Sequence, residues 1–249
     1  VAAAARLSLA QASPLAADTL LRRAEADLRA TLASSSKPSA QAWYYLSLVY
    51  LMQGRQAASE DAAAQAYAAD AWLDEARSIL SRLLFAALFA GRYEDAMGHC
   101  REGMRRFPTF AAFQECELTI LGWSGRGDSA IRAAWGELRG IDSLPGPTTG
   151  TWAVRRLLVA AVLARSGRAD SAARVVEQAW AEPARRNARP AFLNYEAYVA
   201  LLSGRREEAL TLLGRWLEAY PQYRTMAAES PWFRELRGDS TFARLTATD

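Results

Sequence analysis

The sequence predicts an all-α chain of about five repeated helix-turn-helix units stacked as an α-solenoid, with extra helices at both ends. Three observations predict it. First, the segment Gly-Arg-x-x-x-Ala/Ser occurs five times, as Gly54-Arg55…Ser59, Gly91-Arg92…Ala96, Gly125-Arg126…Ala130, Gly167-Arg168…Ala172 and Gly204-Arg205…Ala209. Its glycines stand 37, 34, 42 and 37 residues apart, a period that marks one supersecondary unit used repeatedly. Second, each glycine follows one apolar stretch with helical spacing and precedes another. Third, the composition is helical, rich in Ala, Leu, Arg and Glu and poor in β-branched residues. With 51% apolar residues and nine prolines, disorder is not expected.

Taken in order, Ser13–Ser34 forms the first helix, with Leu20, Leu21, Ala24, Leu28 and Leu32 on one face. Ser13 suits its N-cap and Pro14 its first helical position. The connector Ser34–Pro38 closes an N-terminal helical segment, residues 1–38, and the repeat array is expected over 39–221. Its first unit pairs a helix at 40–53, carrying Trp43, Leu46, Leu48 and Tyr50, with one at 56–69. Gly54 breaks between them because it reaches φ > 0 without steric cost. The later units pair 74–90 with 93–106, 110–124 with 128–138, 151–166 with 169–181, and 190–203 with 206–219. Pro108, Pro183 and Pro221 stop second helices. Gly140–Gly150, with Pro145, Gly146 and Pro147, accounts for the longest interval and is the expected hinge or protruding loop. Arg185–Arg189 is expected to make an extended turn. Residues 222–249 hold Pro231-Trp232-Phe233-x-x-Leu236 and Phe242-x-x-Leu245, two short apolar helices suited to capping the end of the array.

These residues resemble the tetratricopeptide repeat, a unit of about 34 residues with Trp, Leu, Gly and Tyr in its first helix, Ala and an aromatic in its second and a late Pro. Counting Ala40 as position 1 puts Trp43 at 4, Leu46 at 7, Tyr50 at 11, Gly54 at 15 and Ala66 at 27. The second unit matches with Leu83 at 7, Gly91 at 15, Tyr93 at 17, Ala96 at 20 and Pro108 at 32, and the fifth with Gly204 at 15, Ala209 at 20 and Pro221 at 32. The third and fourth units are degenerate in their first helices. The resemblance covers roughly residues 40–221 and implies a right-handed α-solenoid of the kind found in bacterial members of the family.

The resemblance also implies a concave binding face. Carried over residue by residue, that face holds Tyr44, Leu48, Leu51 and Met52, then Phe85, Leu88 and Phe89, then Glu115, Thr119 and Trp123. Leu157 and Arg165 follow from the fourth unit, and Asn194, Tyr198 and Leu202 from the fifth. Such a groove is apolar and aromatic, suited to an amphipathic helix or an extended apolar peptide. Family members that clamp a terminal carboxylate use Lys, Asn and Arg there. This chain keeps only Asn194 and Arg165, so that activity is not expected. Either a partner or the chain's own terminal segments would fill the face.

Other chemistry is sparse. The formal charge is +3 and the pI near 9.0 reflects arginine in place of lysine, Lys37 being the one lysine. Acids interleave the arginines, so no nucleic-acid stripe emerges. No apolar run approaches the ~20 residues of a membrane span. The one histidine, His99, sits beside Cys100 and near Glu94, a zinc site would need two more ligands, and a structural or surface role is expected. Arg126-Gly127-Asp128 falls on a turn and suits turn chemistry. No phosphate loop, nucleophile elbow or HExxH is present. No cofactor and no enzymatic activity are expected.

Cys100 and Cys116 each lie eight residues from Pro108. In an antiparallel helix pair turning there, both stand about 12 Å from the turn, at ~1.5 Å per residue. They are level, and either bridge two units or serve as two small buried hydrophobes. A bridge suits export. The Ala-rich Val1–Ala12 ends Ala10-Gln11-Ala12, like a signal-cleavage pattern, although Arg6 interrupts it. An exported, periplasmic location is the expectation and a cytoplasmic one the alternative. Together these readings predict a non-catalytic protein-protein interaction scaffold, an accessory subunit docked on a larger complex that includes membrane-bound ones. The alternative is a sensor or regulatory module cut from a longer bacterial kinase or transcription regulator.

Overall fold

The computed structural model describes residues 14–34, 39–143 and 149–247, and they are helical, with no strand among them. Val1–Ala12, Ser13 with its expected N-cap role, most of the connector before Ser39 and the centre of the Gly140–Gly150 segment lie outside the described residues. The chain divides into two compact units. One comprises residues 1–87 and 94–108, the other residues 88–93 and 109–249.

In the first unit, α1 (Pro14–Ser34), α2 (Ala40–Met52) and α3 (Gln56–Ala69) pack in sequence. Helix α1 buries Leu21, Ala24 and Leu28, the 3–4 spacing of one helical face, against Ala42, Leu46, Val49 and Tyr50 of α2. Ser39 caps α2, its Oγ accepting from Ala42 N at 3.2 Å. The α2–α3 turn is a Schellman close. Gly54 N–H donates to Leu51 O at 3.0 Å and Arg55 N–H to Tyr50 O at 2.8 Å, with Gly54 at φ 73°. Ser59 explains the small residue of the repeated motif. It is buried where α3 meets α2, and its Oγ donates to Ser47 O at 2.8 Å. Ile79 and Leu83 of α4 (Ala76–Phe89) complete the core against Ala63 and Ala66 of α3. Helix α5 (Tyr93–Arg106) contributes buried Ala96, Cys100 and Gly103.

The second unit contains α6 (Ala111–Gln114), α7 (Cys116–Ser124), α8 (Gly127–Asp142), α9 (Thr149–Arg165), α10 (Ala169–Ala179), α11 (Pro183–Arg186) and α12 (Leu193–Leu202). It ends with α13 (Arg206–Ala219), α14 (Arg224–Glu229) and α15 (Ser240–Thr246), joined by 3₁₀ turns. The pairs α7–α8, α9–α10 and α12–α13 are helical hairpins, and α7, α9 and α12 also pack on one another in that order. Fully buried Leu213 and Leu217 anchor α13, each contributing about 1.5–3 kcal/mol.

One sequence expectation changes here, and one turn is refined. The helix expected over 110–124 is broken at Glu115 (φ −104°, ψ −3°) into α6 and α7. In the third turn the left-handed residue is Gly127, at φ 83°, while Gly125 is extended at φ −64° and ψ 133°. Gly125 is instead required for space: a Cβ there would stand 2.7 Å from Leu121 O and 3.2 Å from Ala130 Cβ. The Arg185–Arg189 turn contains the end of α11 and the start of a 3₁₀ turn, Arg189–Phe192.

Candidate interaction site

In the second unit, three helices bring predicted concave-face residues together. Helix α7 supplies Trp123, α9 supplies Arg165, and α12 supplies Asn194 and Tyr198. They do not form an open groove. The C-terminal segment folds back through a 3₁₀ turn, Pro231–Leu236, and inserts Trp232 between them. The Trp232 indole stacks on Tyr198 with centroids 4.6 Å apart and planes 7° from parallel. It meets Tyr195 edge-on at 4.9 Å and Trp123 at 4.9 Å. Phe89 touches the outer side of Trp123 at 5.2 Å and keeps 44% of its surface exposed. In this unit Trp232 therefore occupies the space between Trp123 and Tyr198.

Arg165 closes the floor. Its Nη1 donates to Gly122 O at 3.1 Å and Gly125 O at 3.2 Å, and its Nη2 donates to Tyr198 Oη. All of these partners belong to the chain itself. Burial pushes the phenols of Tyr195 and Tyr198 up to about 12, so both stay neutral hydrogen-bonding groups at physiological pH. The Asn194 Oδ1 and Trp232 Nε1 atoms are buried with no hydrogen-bond partner among the described residues.

In the first unit the corresponding residues are more exposed. Tyr44, Leu48 and Met52 on α2 are half-buried, and Leu51 and Phe85 are each 39% exposed. Tyr44 leans on Tyr45 at 5.3 Å. Beneath it Arg82 donates to Ser47 O at 3.4 Å, its guanidinium held below the usual arginine range chiefly by burial.

The motif arginine Arg55 is exposed yet makes contacts of its own. Its guanidinium lies 4.3 Å from the Tyr50 ring centroid and pairs with Glu25 at 3.1 Å, tying the α2–α3 turn to α1. Sequence reasoning also missed Trp72, which is 79% exposed beside a hollow of about 440 Å³ lined by Leu73, Asp74, Arg105, Arg106 and Phe107. Arg106 fills the aromatic cage there, with its guanidinium 4.6 Å from Trp72, 5.1 Å from Phe107 and 5.6 Å from Tyr67. Trp72 and the Arg105-Arg106 pair are far apart in sequence, so no local pattern joined them.

Cys100 and Cys116 are both buried, and neither is a free thiol. The Cys116 Sγ stands 2.9 Å from Phe113 O. Among the described residues no group of three His, Cys, Asp or Glu side chains is placed to hold a metal, and no helix is long and apolar enough to cross a membrane.

One carboxyl pair carries a pH prediction. Burial, then the charge and hydrogen bond of Glu117, raise the Glu137 carboxyl above its ordinary value. The folded state thus holds this proton more tightly than the unfolded chain. That contribution to stability is present below the ordinary carboxylate pKa and is lost as pH rises through the raised value. Glu137→Gln is therefore expected to raise the melting temperature at pH 7 and to leave it nearly unchanged near pH 4. Paired thermal melts at the two pH values check this.

Searches find no family model that matches this chain and no curated protein that resembles it significantly.

Proposed function

We propose that the chain is a non-catalytic protein-protein interaction scaffold whose hairpins stack as a right-handed tetratricopeptide-type α-solenoid. In this reading it is an accessory subunit docked on a larger complex, membrane-bound complexes included, and acts on the exported, periplasmic side. The observation that carries the reading is the repeated hairpin. Four of the five motif glycines, Gly54, Gly91, Gly167 and Gly204, adopt φ between 73° and 77°, and the arginine after Gly54, Gly167 and Gly204 begins the next helix as its N-cap. Side-by-side packing of α7, α9 and α12 supports stacking of first helices, as a solenoid requires.

The docking surface in this reading is the first unit's apolar face, where Leu51 and Phe85 are exposed beside Leu48 and Met52. Exposed large apolar side chains mark contact surfaces when they cluster at positions a fold uses for recognition. A photo-crosslinking residue at position 51 or 85 in the native host is expected to capture one defined partner, and one at exposed position 139 to capture none. Equal capture at all three positions would defeat the assignment.

We also propose that Cys100 and Cys116 bridge to each other. Closing a short loop of this kind stabilises a fold by about 3 kcal/mol. The intact protein should gain 2 Da (roughly, one proton mass per sulfur) on reduction, and its melting temperature should fall. An unchanged mass with two alkylatable thiols before reduction would refute the bridge.

A further inference from the structure

Trp72 is the most exposed large apolar side chain among the described residues: 79% of its surface meets solvent, against 44% for Phe89, the next. It is nevertheless held in place. Its backbone N–H donates to Asp70 Oδ1 at 2.8 Å, and Ala76 N–H donates to Leu73 O at 2.9 Å, so the turn between α3 and α4 is closed on both sides of it. The Arg106 guanidinium stands 4.6 Å from the indole centroid. It donates to Ala71 O in the same turn and to Tyr67 Oη at 2.7 Å. Only 6% of that arginine side chain is exposed. The indole therefore projects from an anchored base, and a knob fixed in advance loses little freedom when it docks.

The hollow of about 440 Å³ beside it stands open without any movement of the chain. Trp72, Leu73 and Phe107 give it apolar walls, and Arg105 and Asp74 bring both signs of charge to the same lining. Arg105 is 67% exposed and bonds Glu102 through Nε and Nη2, which leaves its Nη1 unbonded among the described residues. Asp74 is exposed, and its carboxylate makes no hydrogen bond or ion pair among the described residues. An acidic partner surface would face Asp74 and a basic one Arg105, and like-charge contact disfavours both. The surface that answers a knob beside a hollow, and a cation beside an anion, is a second copy of the same patch. That is the isologous arrangement, in which residue i of one copy meets residue j of the other and j meets i.

We propose that two copies of this chain associate through this patch about a two-fold axis. Trp72 of each copy enters the hollow of the other, and Arg105 of each faces Asp74 of the other. The inference goes beyond the scaffold reading: it uses none of the residues of the docking face and needs no second protein. One indole buries about 150–250 Å², so an interface built on two of them falls short of the roughly 1,200–2,000 Å² of a standard stable contact. The association is therefore weak and reversible, and it fills as concentration rises.

Sedimentation velocity of the purified, unaltered chain between about 5 and 500 μM, the range in which a small interface fills, is expected to show a concentration-dependent dimer. Trp72→Ala, at an exposed position whose loss spares the core, should weaken that dimer about tenfold or more. Asp74→Arg and Arg105→Asp each set like charges opposite one another at both contacts, and each variant alone should lose about as much. Mixed in equal amounts, these two variants regain an opposite-charge pair at both contacts. A mixed dimer close to the unaltered affinity is the signature of the two-fold arrangement. If Arg105→Asp does not fold once its Glu102 pair is gone, Trp72→Ala and Asp74→Arg decide. A monomer throughout, the result expected if a different protein covers the hollow, overturns the proposal. So does a dimer that Trp72→Ala retains in full, or a pair of folded charge variants that do not recover on mixing. The assay contains this chain alone, so its failure leaves the docking result at positions 51 and 85 untouched.

Discussion

Trp232→Ala is expected to destabilise the protein by about 3–5 kcal/mol, the usual cost of truncating a buried large aromatic. Trp232 is 9% exposed and meets three rings within 4.9 Å, and such ring pairs add about 0.5–1.5 kcal/mol each beyond simple burial. The loss falls on the second unit, whose α7 and α12 are joined through that indole. Trp232→Phe keeps a ring in the hollow and should recover about half of the loss. Denaturant unfolding checks both variants, with a lowered midpoint and an unchanged slope as the expected signature.

Glu115→Ala is expected to cost a comparable amount. Glu115 sits at the break between α6 and α7, where its Oε1 accepts from Arg155 Nε at 3.0 Å and from Nη2 at 2.7 Å. Both side chains are largely buried, with 10% of Arg155 and 14% of Glu115 exposed. Removing one partner of a buried pair strands the other, at about 3–5 kcal/mol. Asp142, 3.5 Å from Arg155 Nη1, retains some compensation and places the expected loss near the bottom of the range. The double substitution Glu115→Ala with Arg155→Met removes the stranded charge and should recover most of it. Thermal or denaturant melts of the single and double variants measure the coupling directly. Glu115 stands at a position that the repeat resemblance gives to ligand contact, and its pairing with Arg155 assigns it a structural role instead.

The helical hairpins were legible because their signals are local. A glycine at φ near 75° leaves a mark in sequence, since other residues are strained there, and a small residue five positions later marks the close approach of the next helix. At Gly125-Arg126-Gly127 the motif glycine is not the left-handed one: Gly125 packs against Leu121 and Ala130, and Gly127 takes the positive φ. The candidate site was half legible. Its wall residues Trp123 and Tyr198 follow from the repeat resemblance, but Trp232 reaches them from a distant tail segment, and no periodicity encodes that contact. The break at Glu115 likewise coincides with a long-range ion pair to Arg155, which helix propensity does not report.

The central claim is that the chain docks through the first unit's apolar face while its C-terminal turn fills the second unit's hollow. Native mass spectrometry of the protein purified from its own host, compared with Leu51→Glu and Phe85→Glu, tests this most directly. The account predicts a stoichiometric complex with a second protein that either substitution weakens at least tenfold, with each variant's fold intact by circular dichroism. A monomer at physiological concentration, or a complex that both variants retain in full, would contradict it.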